Sequence, residues 1–179
     1  RTADVSGSII GATVEGKRPF LVEVQALTTP TPFGYPKRTA SGIDFNRLAL
    51  LIAVLTKRAG LNLFTQDVFV NVVGGFKIKE PAVDLAVCLA VASAFLNKNI
   101  DSQVVAIGEV GLAGDIRPVS LLAERAQEAS KLGFKKIVVP KLANGSIKVN
   151  GRGEVMHVSN LKEAIEKVIG SYKGKQKLG

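Results

Sequence analysis

Cysteine, histidine and tryptophan are almost missing from this 179-residue chain, which has one Cys, one His and no Trp. A disulfide framework needs paired cysteines and a structural zinc site needs several Cys or His ligands, so both are excluded. Catalytic machinery that would need Cys88 and His157 together is excluded as well. Cys88 lies in an apolar run, which is typical of a buried and inert thiol.

Long apolar runs and targeting signals are missing too. The longest apolar stretches are too short and too interrupted to span a membrane, and no signal peptide or lipidation motif is visible. The first residue is Arg1 and there is no initiator Met. We therefore expect a cytoplasmic fragment of a longer protein that has no membrane partner. A chain of 179 residues with 46% hydrophobic residues is long enough to fold around a core as one domain.

Acidic residues are few compared with basic ones, because 24 Lys and Arg face 15 Asp and Glu, a net charge of +9. Three of these charges, Lys173, Lys175 and Lys177, lie in the last ten residues, which contain no acid. We predict a folded domain over residues 1–169 and a basic, disordered tail over residues 170–179. The charge suggests a polyanionic partner, but its distribution matters more than its total.

The hydrophobic periodicity predicts strands first and then alternating helices and strands. Predicted strands and hairpins are Ser6–Val14 with Phe20–Leu27, Asp67–Val73 continuing through Lys79, Val104–Ile107, Glu109–Val119, Lys136–Pro140 and Glu154–Val158. Predicted helices start at Asp44, Pro81, Ser120 and Ser159 or Asn160, and end at Ala59, Leu96, Leu132 and Ile169. Residues 28–41 contain three prolines and are predicted to be a loop with a basic tip. This order predicts an α/β fold, an α+β two-layer domain with a mixed sheet.

Two glycine-rich segments resemble phosphate-binding loops and do not fulfil their requirements. Residues 11–17 fit a P-loop up to its lysine, but Arg18 replaces the Ser or Thr that would bind magnesium, and a strand follows instead of a helix. A hairpin turn explains this segment better, so we expect no ATP hydrolysis by this chain. Residues 108–115 lack the dinucleotide-binding pattern and are predicted to form a second hairpin.

Two further segments are informative when they are taken together. Lys79-Glu80-Pro81-Ala82-Val83 opens the predicted buried helix, and Gly108-Glu109-Val110-Gly111-Leu112-Ala113-Gly114 precedes a proline and another helix. This order resembles the proteolytic domain of Lon, which implies a ribosomal protein S5 domain 2-like fold and a Ser–Lys dyad. Such a dyad requires a deprotonated lysine within hydrogen-bonding reach of the serine hydroxyl.

The same resemblance implies that the dyad is lost. It carries the nucleophile onto Ala82 and the base onto Ala123, and neither methyl group can perform the step. Ser93 lies deep along its apolar helix, and Ser120 lies too early in its own helix for the serine of the family. We therefore expect that this chain alone is not an enzyme.

A closer resemblance covers about Ser6 to Ile169. It is carried, in order, by the runs Gly16–Leu27, Gly42–Leu48, Gly74–Ala86, Ile107–Leu112 and Lys131–Lys136. These runs resemble the C-terminal Lon-like domain of the RadA (Sms) family of bacterial DNA-repair proteins. The resemblance implies a parent protein with an N-terminal zinc finger and a RecA-like ATPase core, both outside this chain.

Members of that family are DNA-dependent ATPases that drive branch migration of recombination intermediates as hexameric rings. ATP, magnesium and zinc would then belong to other parts of the parent, and this chain would hold no cofactor or metal. The Lon-like domain is implied to be a scaffold of the homo-oligomeric ring and a surface that contacts double-stranded or branched DNA, without peptidase activity.

Sequence-independent DNA binding requires only cations that can reach phosphates, and cations fixed at the ends of elements are the better candidates. Arg47 is of interest because a cation in the first turn of a helix opposes the helix dipole. The candidate DNA-binding residues are Arg18, Lys37, Arg38, Arg47, Lys77, Lys79 and Arg117. Because Trp is absent, Tyr occurs twice and most Phe lie in predicted core patterns, aromatic stacking on single strands is not expected.

Two alternatives stay open at this stage. A pure oligomerisation scaffold would form the ring and ignore DNA even at low salt. A cryptic Lon-type serine peptidase or peptide-binding module would cleave or bind peptides. The apolar helices do not separate a scaffold from a DNA binder, because both need the same core.

Overall fold

The structure, a computed structural model, describes residues 5–173 and contains a seven-stranded mixed sheet with the strand order β3-β4-β2-β1-β5-β8-β9. The strands of the sheet are β1 (Ser8–Glu15), β2 (Arg18–Pro30), β3 (Arg38–Ser41), β4 (Gln66–Val72), β5 (Val104–Ala106), β8 (Lys136–Pro140) and β9 (Glu154–Val158). The pairs β1–β2 and β2–β4 are antiparallel, and the other neighbours are parallel. A separate antiparallel hairpin joins β6 (Glu109–Val110) and β7 (Ile116–Arg117).

Four helices within residues 5–173 cover the sheet unequally: α1 (Phe45–Arg58), α2 (Asp84–Leu96), α3 (Leu122–Lys131) and α4 (Leu161–Val168). Because successive strand residues point to opposite faces, Ile9 belongs to the core under α1, α2 and α4, whereas Ile10 belongs to a second core under α3. The predicted α/β fold with a mixed sheet is confirmed. Helix α3 adds a partial third layer, over β1, β5, β8 and the start of β2, to the two layers expected.

Helix α2 is the centre of the larger core. It follows a short 3-10 turn, Pro81–Val83, and ten of its thirteen residues are buried, as its apolar sequence predicts. Cys88 is fully buried within it, and this burial raises the pKa of the thiol, which agrees with an inert cysteine.

The first hairpin and the helix starts predicted at Asp44 and Asn160 are confirmed, whereas α2 begins at Asp84, after the 3-10 turn, and α3 begins at Leu122 without a side-chain cap from Ser120. Asp44 caps α1 by accepting a hydrogen bond from the backbone N–H of Arg47, and Asn160 caps α4 by accepting from that of Glu163. Strands β1 and β2 are joined by the two-residue turn Gly16-Lys17, since Glu15 pairs with Arg18. Gly16 has a φ of +64°, which favours glycine, and the segment is therefore a hairpin and not a P-loop.

The structure also differs from the predicted strands and loops in two places. Residues 28–30 extend β2 and residues 38–41 form β3, so the predicted loop 28–41 shrinks to residues 31–37. Both additions pair with β4, and this pairing overrides the proline signal. In the second place, β4 ends before Gly74 and Gly75, both at positive φ, and of the segment that follows only Ile78 forms a β-bridge, to Ile43.

The C-terminal end of the described chain is attached to the fold. The hydroxyl of Tyr172 donates to the carbonyl of Ala59 at 2.6 Å, and the amine of Lys98 donates to the carbonyl of Ser171 at 3.1 Å. The predicted tail therefore includes residues that pack on the domain, while residues 174–179 lie outside the described residues. Within residues 5–173, no helix is long and apolar enough to cross a membrane.

Candidate functional site

A cleft of about 700 Å³ lies at the start of α2, where the Lon resemblance places the peptidase site. The start of α1, the segment 77–81 and the β6–β7 hairpin border it. The charged side chains that line it are Asp44, Arg47, Lys77, Lys79, Glu80, Asp84 and Glu109. Within the described part of the chain, no group of His, Cys, Asp and Glu side chains could hold a metal ion.

The alanines at the dyad positions are not brought together in this cleft. Ala82 is 1% exposed, Ala123 is exposed on α3, and neither lines the cleft. The hydroxyl of Ser93 donates to the carbonyl of Lys98 inside the core, and that of Ser120 accepts from Arg125 at 3.4 Å. Arg125 stays protonated and does not act as a base towards the hydroxyl of Ser120. The contacts of both serines agree with the predicted loss of peptidase activity, which stays a prediction.

Arg47 forms an ion pair across the floor of the cleft. Its guanidinium donates twice to the carboxylate of Asp84, once from Nε at 3.0 Å, and the backbone N–H of Val110 donates to the same carboxylate at 3.1 Å. Burial raises the pKa of Asp84, whereas the hydrogen bonds from Arg47 and Val110 oppose this rise. The pair joins α1, α2 and β6, so the positive charge of Arg47 is balanced inside the fold.

A second ion pair, between Arg125 and Glu80, was not anticipated from the sequence. Arg125 is 1% exposed and donates to both carboxylate oxygens of Glu80, from Nη2 at 3.1 Å. It also donates to the carbonyls of Ala12 at 3.0 Å and Ser120 at 2.8 Å. One signal could have found it, because Arg125 falls on the inward stripe of α3 with Leu122, Ala126 and Ala129.

Three candidate cations lie near the β1–β2 turn, and we call them the tip cluster: Arg18 pairs with Glu15 across the turn, and Lys77 and Lys79 line a hollow with Glu15. Arg18 and Phe20 share one face of β2, and the ring of Phe20 contacts that of Phe76 at a centroid distance of 5.2 Å. Lys77 and Lys79 are exposed on either side of the buried Ile78. No strand forms there, and both lysines border the cleft at the start of α2.

The segment that carries these lysines is held from below by Glu80, which binds both Arg125 and the hydroxyl of Thr13. It is held from the side by Gly42, whose carbonyl accepts from the backbone N–H of Ile78 at 2.7 Å. The tip cluster therefore sits on a fixed backbone, as cations for phosphate binding should.

Substituting Gly42 with Ala is expected to destabilise this attachment. Gly42 has a φ of +90°, and a Cβ there would lie 2.6 Å from the Cβ of Val72 and 2.7 Å from the carbonyl oxygen of Phe76. Strain and overpacking together should lower the free energy of unfolding by at least about 2 kcal/mol in urea denaturation. Gly34→Ala is the matched control, because Gly34 has a φ of +85° but open space around its Cβ position. Equal losses in the two variants would contradict the close packing at Gly42.

The other candidate cations do not belong to the tip cluster. Lys37 and Arg38 lie beside the far end of β2, and its 13 residues span about 40 Å from Arg18 to Pro30. The guanidinium of Arg38 donates to the carbonyls of Gln66 and Leu63, and burial lowers its pKa. Arg117 pairs with Asp115 at 2.7 Å, and this hydrogen bond raises the pKa of Arg117. The seven predicted residues therefore do not form one surface.

The expectation that most phenylalanines lie in the core is wrong. None of the eight phenylalanines belongs to the fully buried core, which consists mainly of Val, Leu, Ile and Ala side chains. The strands and α2 pack closely with these aliphatic side chains, and the larger rings lie at the margins. The most exposed aromatic residues are Phe33 at 88% and Tyr35 at 95%, both in the loop 31–37.

Part of one sheet face carries no helix among the described residues. Because α3 reaches only the start of β2, the same face of the rest of β2, of β4 and of β3 remains open around a hollow of about 450 Å³. We call this surface the open face; its side chains include Gln25, Leu27, Thr39, Ser41, Phe69 and Asn71. Leu27 is 61% exposed there, beside Phe69 on the neighbouring strand.

Comparison with known proteins gives matches of two kinds. Residues 46–143 match the family described as subunit ChlI of Mg-chelatase. The chain is also 46% identical to the DNA repair protein RadA of Halalkalibacterium halodurans, over 95% of this chain and 37% of that protein. RadA of Listeria monocytogenes is 48% identical over 94% of the chain, and RadA of Streptococcus pneumoniae is 48% identical over 94%.

The resemblance to RadA inferred from the sequence is thereby confirmed. The chain spans about two fifths of the length of these relatives, between 37% and 40%. It therefore matches one part of these DNA repair proteins.

Proposed function

The chain belongs to the family described as subunit ChlI of Mg-chelatase, and from that premise, together with its similarity to RadA, we propose that it is a non-proteolytic, DNA-binding scaffold domain of a RadA-type repair protein. The observation that carries the proposal is the tip cluster. Three exposed cations lie on a fixed edge of a fold whose peptidase positions hold Ala82 and Ala123.

The proposed mechanism of binding is phosphate contact without base recognition. Arg18 follows a tight turn, while Lys77 and Lys79 extend from a segment anchored at Gly42 and Glu80, so little backbone freedom is lost on binding. Cations that neutralise phosphates release counterions, which gives affinity for any sequence of duplex or branched DNA. Arg47, Arg38 and Arg117 contribute less in this mechanism because each donates to acceptors of the fold.

The proposed scaffold role relies on the open face. The uncovered sheet face leaves the side chain of Leu27 exposed, and in a ring a neighbouring copy would bury it. Weak DNA contacts from several copies would then act together through their high effective concentration. The parent would be a hexameric, DNA-dependent ATPase of the cytoplasm that drives branch migration, with ATP, magnesium and zinc bound outside this chain.

Duplex binding combined with the mass in solution tests this proposal. Fluorescence anisotropy of the purified chain with two labelled duplexes of unrelated sequence should give similar affinities at low salt. Sedimentation should show self-association that Leu27→Glu on the open face reduces. A chain that assembles but ignores both duplexes would be a pure scaffold, and the DNA-binding part of the proposal would be wrong.

The peptidase alternative has its own expected result. Incubation with an unstructured fluorogenic peptide should give no cleavage, because Ala82 and Ala123 supply neither a nucleophile nor a base. Ser93→Ala and Ser120→Ala serve as controls for cryptic nucleophiles. Cleavage by the wild-type chain that one of these substitutions abolishes would contradict the non-proteolytic assignment.

A further inference from the structure

The loop of residues 31–37, which we call the aromatic loop, presents two rings to solvent from a fixed base. The carboxylate of Asp67 accepts from the hydroxyl of Thr31 at 2.9 Å and from the backbone N–H of Lys37 at 2.8 Å. The backbone N–H of Thr31 also donates to the carbonyl of Thr65 at 2.8 Å. Both ends of the loop are therefore held on β4 and its preceding residue, while Phe33 and Tyr35 extend away from the core.

These rings contribute little to the stability of the domain. Phe33 is 88% and Tyr35 is 95% exposed, so neither buries much apolar area in the fold. Pro32 and Pro36 flank them, and each proline ring restricts its own backbone φ angle. A pair of exposed aromatic rings on a loop with anchored ends is suited to contact a planar partner, because each ring has only two side-chain torsions to order.

The charge around the loop favours an anionic partner. Lys37 is exposed, and Arg38 adds a second positive charge. Residues 24–43 contain no acidic residue, and Asp67, the one acidic residue within residues 45–79, is buried.

We propose that the aromatic loop binds single-stranded DNA, with unpaired bases stacked on Phe33 and Tyr35 and a phosphate near Lys37. Base–aromatic stacking next to a cation is the recurring way in which proteins hold unpaired strands without reading sequence. The site lies about 40 Å from the tip cluster along β2, so it is separate from the proposed duplex contacts. It extends the proposed function and does not depend on it, since a branched DNA offers both duplex arms and unpaired strands.

The absence of tryptophan allows a direct readout. Phe33→Trp would create the only Trp of the chain, in a loop where the larger ring meets no packing restraint. Its fluorescence should be quenched on addition of single-stranded oligothymidine, because the base stacks on the indole. Phe45→Trp, at another exposed position, is the matched control and should be quenched much less.

Affinity measurements complete the test. The double substitution Phe33→Ala with Tyr35→Ala should weaken binding of labelled single-stranded oligothymidine at least tenfold, which corresponds to about 1.4 kcal/mol, and leave duplex binding within about twofold. An unchanged thermal midpoint would show that the variant folds. Unchanged single-strand affinity, an equal loss for duplex and single strand, or a loss of self-association in place of DNA binding would each overturn the proposal. Failure of the wild-type chain to bind duplex would count against the tip cluster and not against the aromatic loop.

Discussion

Replacing Arg125 with methionine is expected to lower the free energy of unfolding by about 3–5 kcal/mol, because it breaks a buried ion pair from one side. Arg125 is 1% exposed and supplies hydrogen bonds to the carboxylate of Glu80 and to the carbonyls of Ala12 and Ser120. Methionine fills much of the same space but leaves these acceptors without a donor. Urea denaturation of the two proteins measures the difference.

The reciprocal substitution provides the control. Glu80→Gln removes the charge of a side chain that is 29% exposed, so its effect should be smaller than that of Arg125→Met. In the double variant, position 80 carries a neutral amide, so no carboxylate charge is left unpaired. The loss in the free energy of unfolding should therefore be less than the sum of the losses in the two single variants. A loss below about 1 kcal/mol for Arg125→Met, or strictly additive losses, would contradict the assigned network.

Removing the tip cluster is expected to lower duplex affinity by about 10- to 100-fold at low salt. The variant combines Arg18→Ala, Lys77→Ala and Lys79→Ala, all at exposed positions, so the fold should be retained. The loss should be similar for duplexes of unrelated sequence, because phosphate contacts carry no base information. Fluorescence anisotropy with two such duplexes measures it.

A matched control separates this local effect from the effect of total charge. Lys131, Lys135 and Lys148 are exposed at the end of α3, before β8 and in the loop that precedes β9, and their replacement by Ala removes the same number of positive charges. Duplex affinity of this control variant should fall by less than about threefold. Equal losses in the two variants would mean that net charge, and not the tip cluster, governs binding.

The sequence predicted those parts of the fold that depend on neighbouring residues. The turn between Glu15 and Arg18, the cap at Asp44 and the buried helix α2 follow from local preference and periodicity. The stripe of α3 predicts an amphipathic helix but does not say which face of the sheet it covers. Its position on the second face became visible only in the structure.

The candidate site was predicted less completely, because its charges interact across long stretches of sequence. The helix dipole singles out Arg47 as an unopposed cation, but Asp84, 37 residues later, matches its charge. The prolines predict a loop around Arg38, which instead begins β3 and donates to carbonyls. Composition does not distinguish an exposed ring from a buried one, so it does not single out Phe33 and Tyr35.

The salt dependence of duplex binding by the wild-type chain tests the central claim most directly. The tip cluster predicts that the logarithm of the association constant falls linearly with the logarithm of the salt concentration, with a slope of about −3 or steeper for three or more phosphate contacts. The tip-cluster variant should give a slope shallower by about 2–3. A slope near zero for the wild-type chain would contradict the account that this fold binds DNA through its exposed cations.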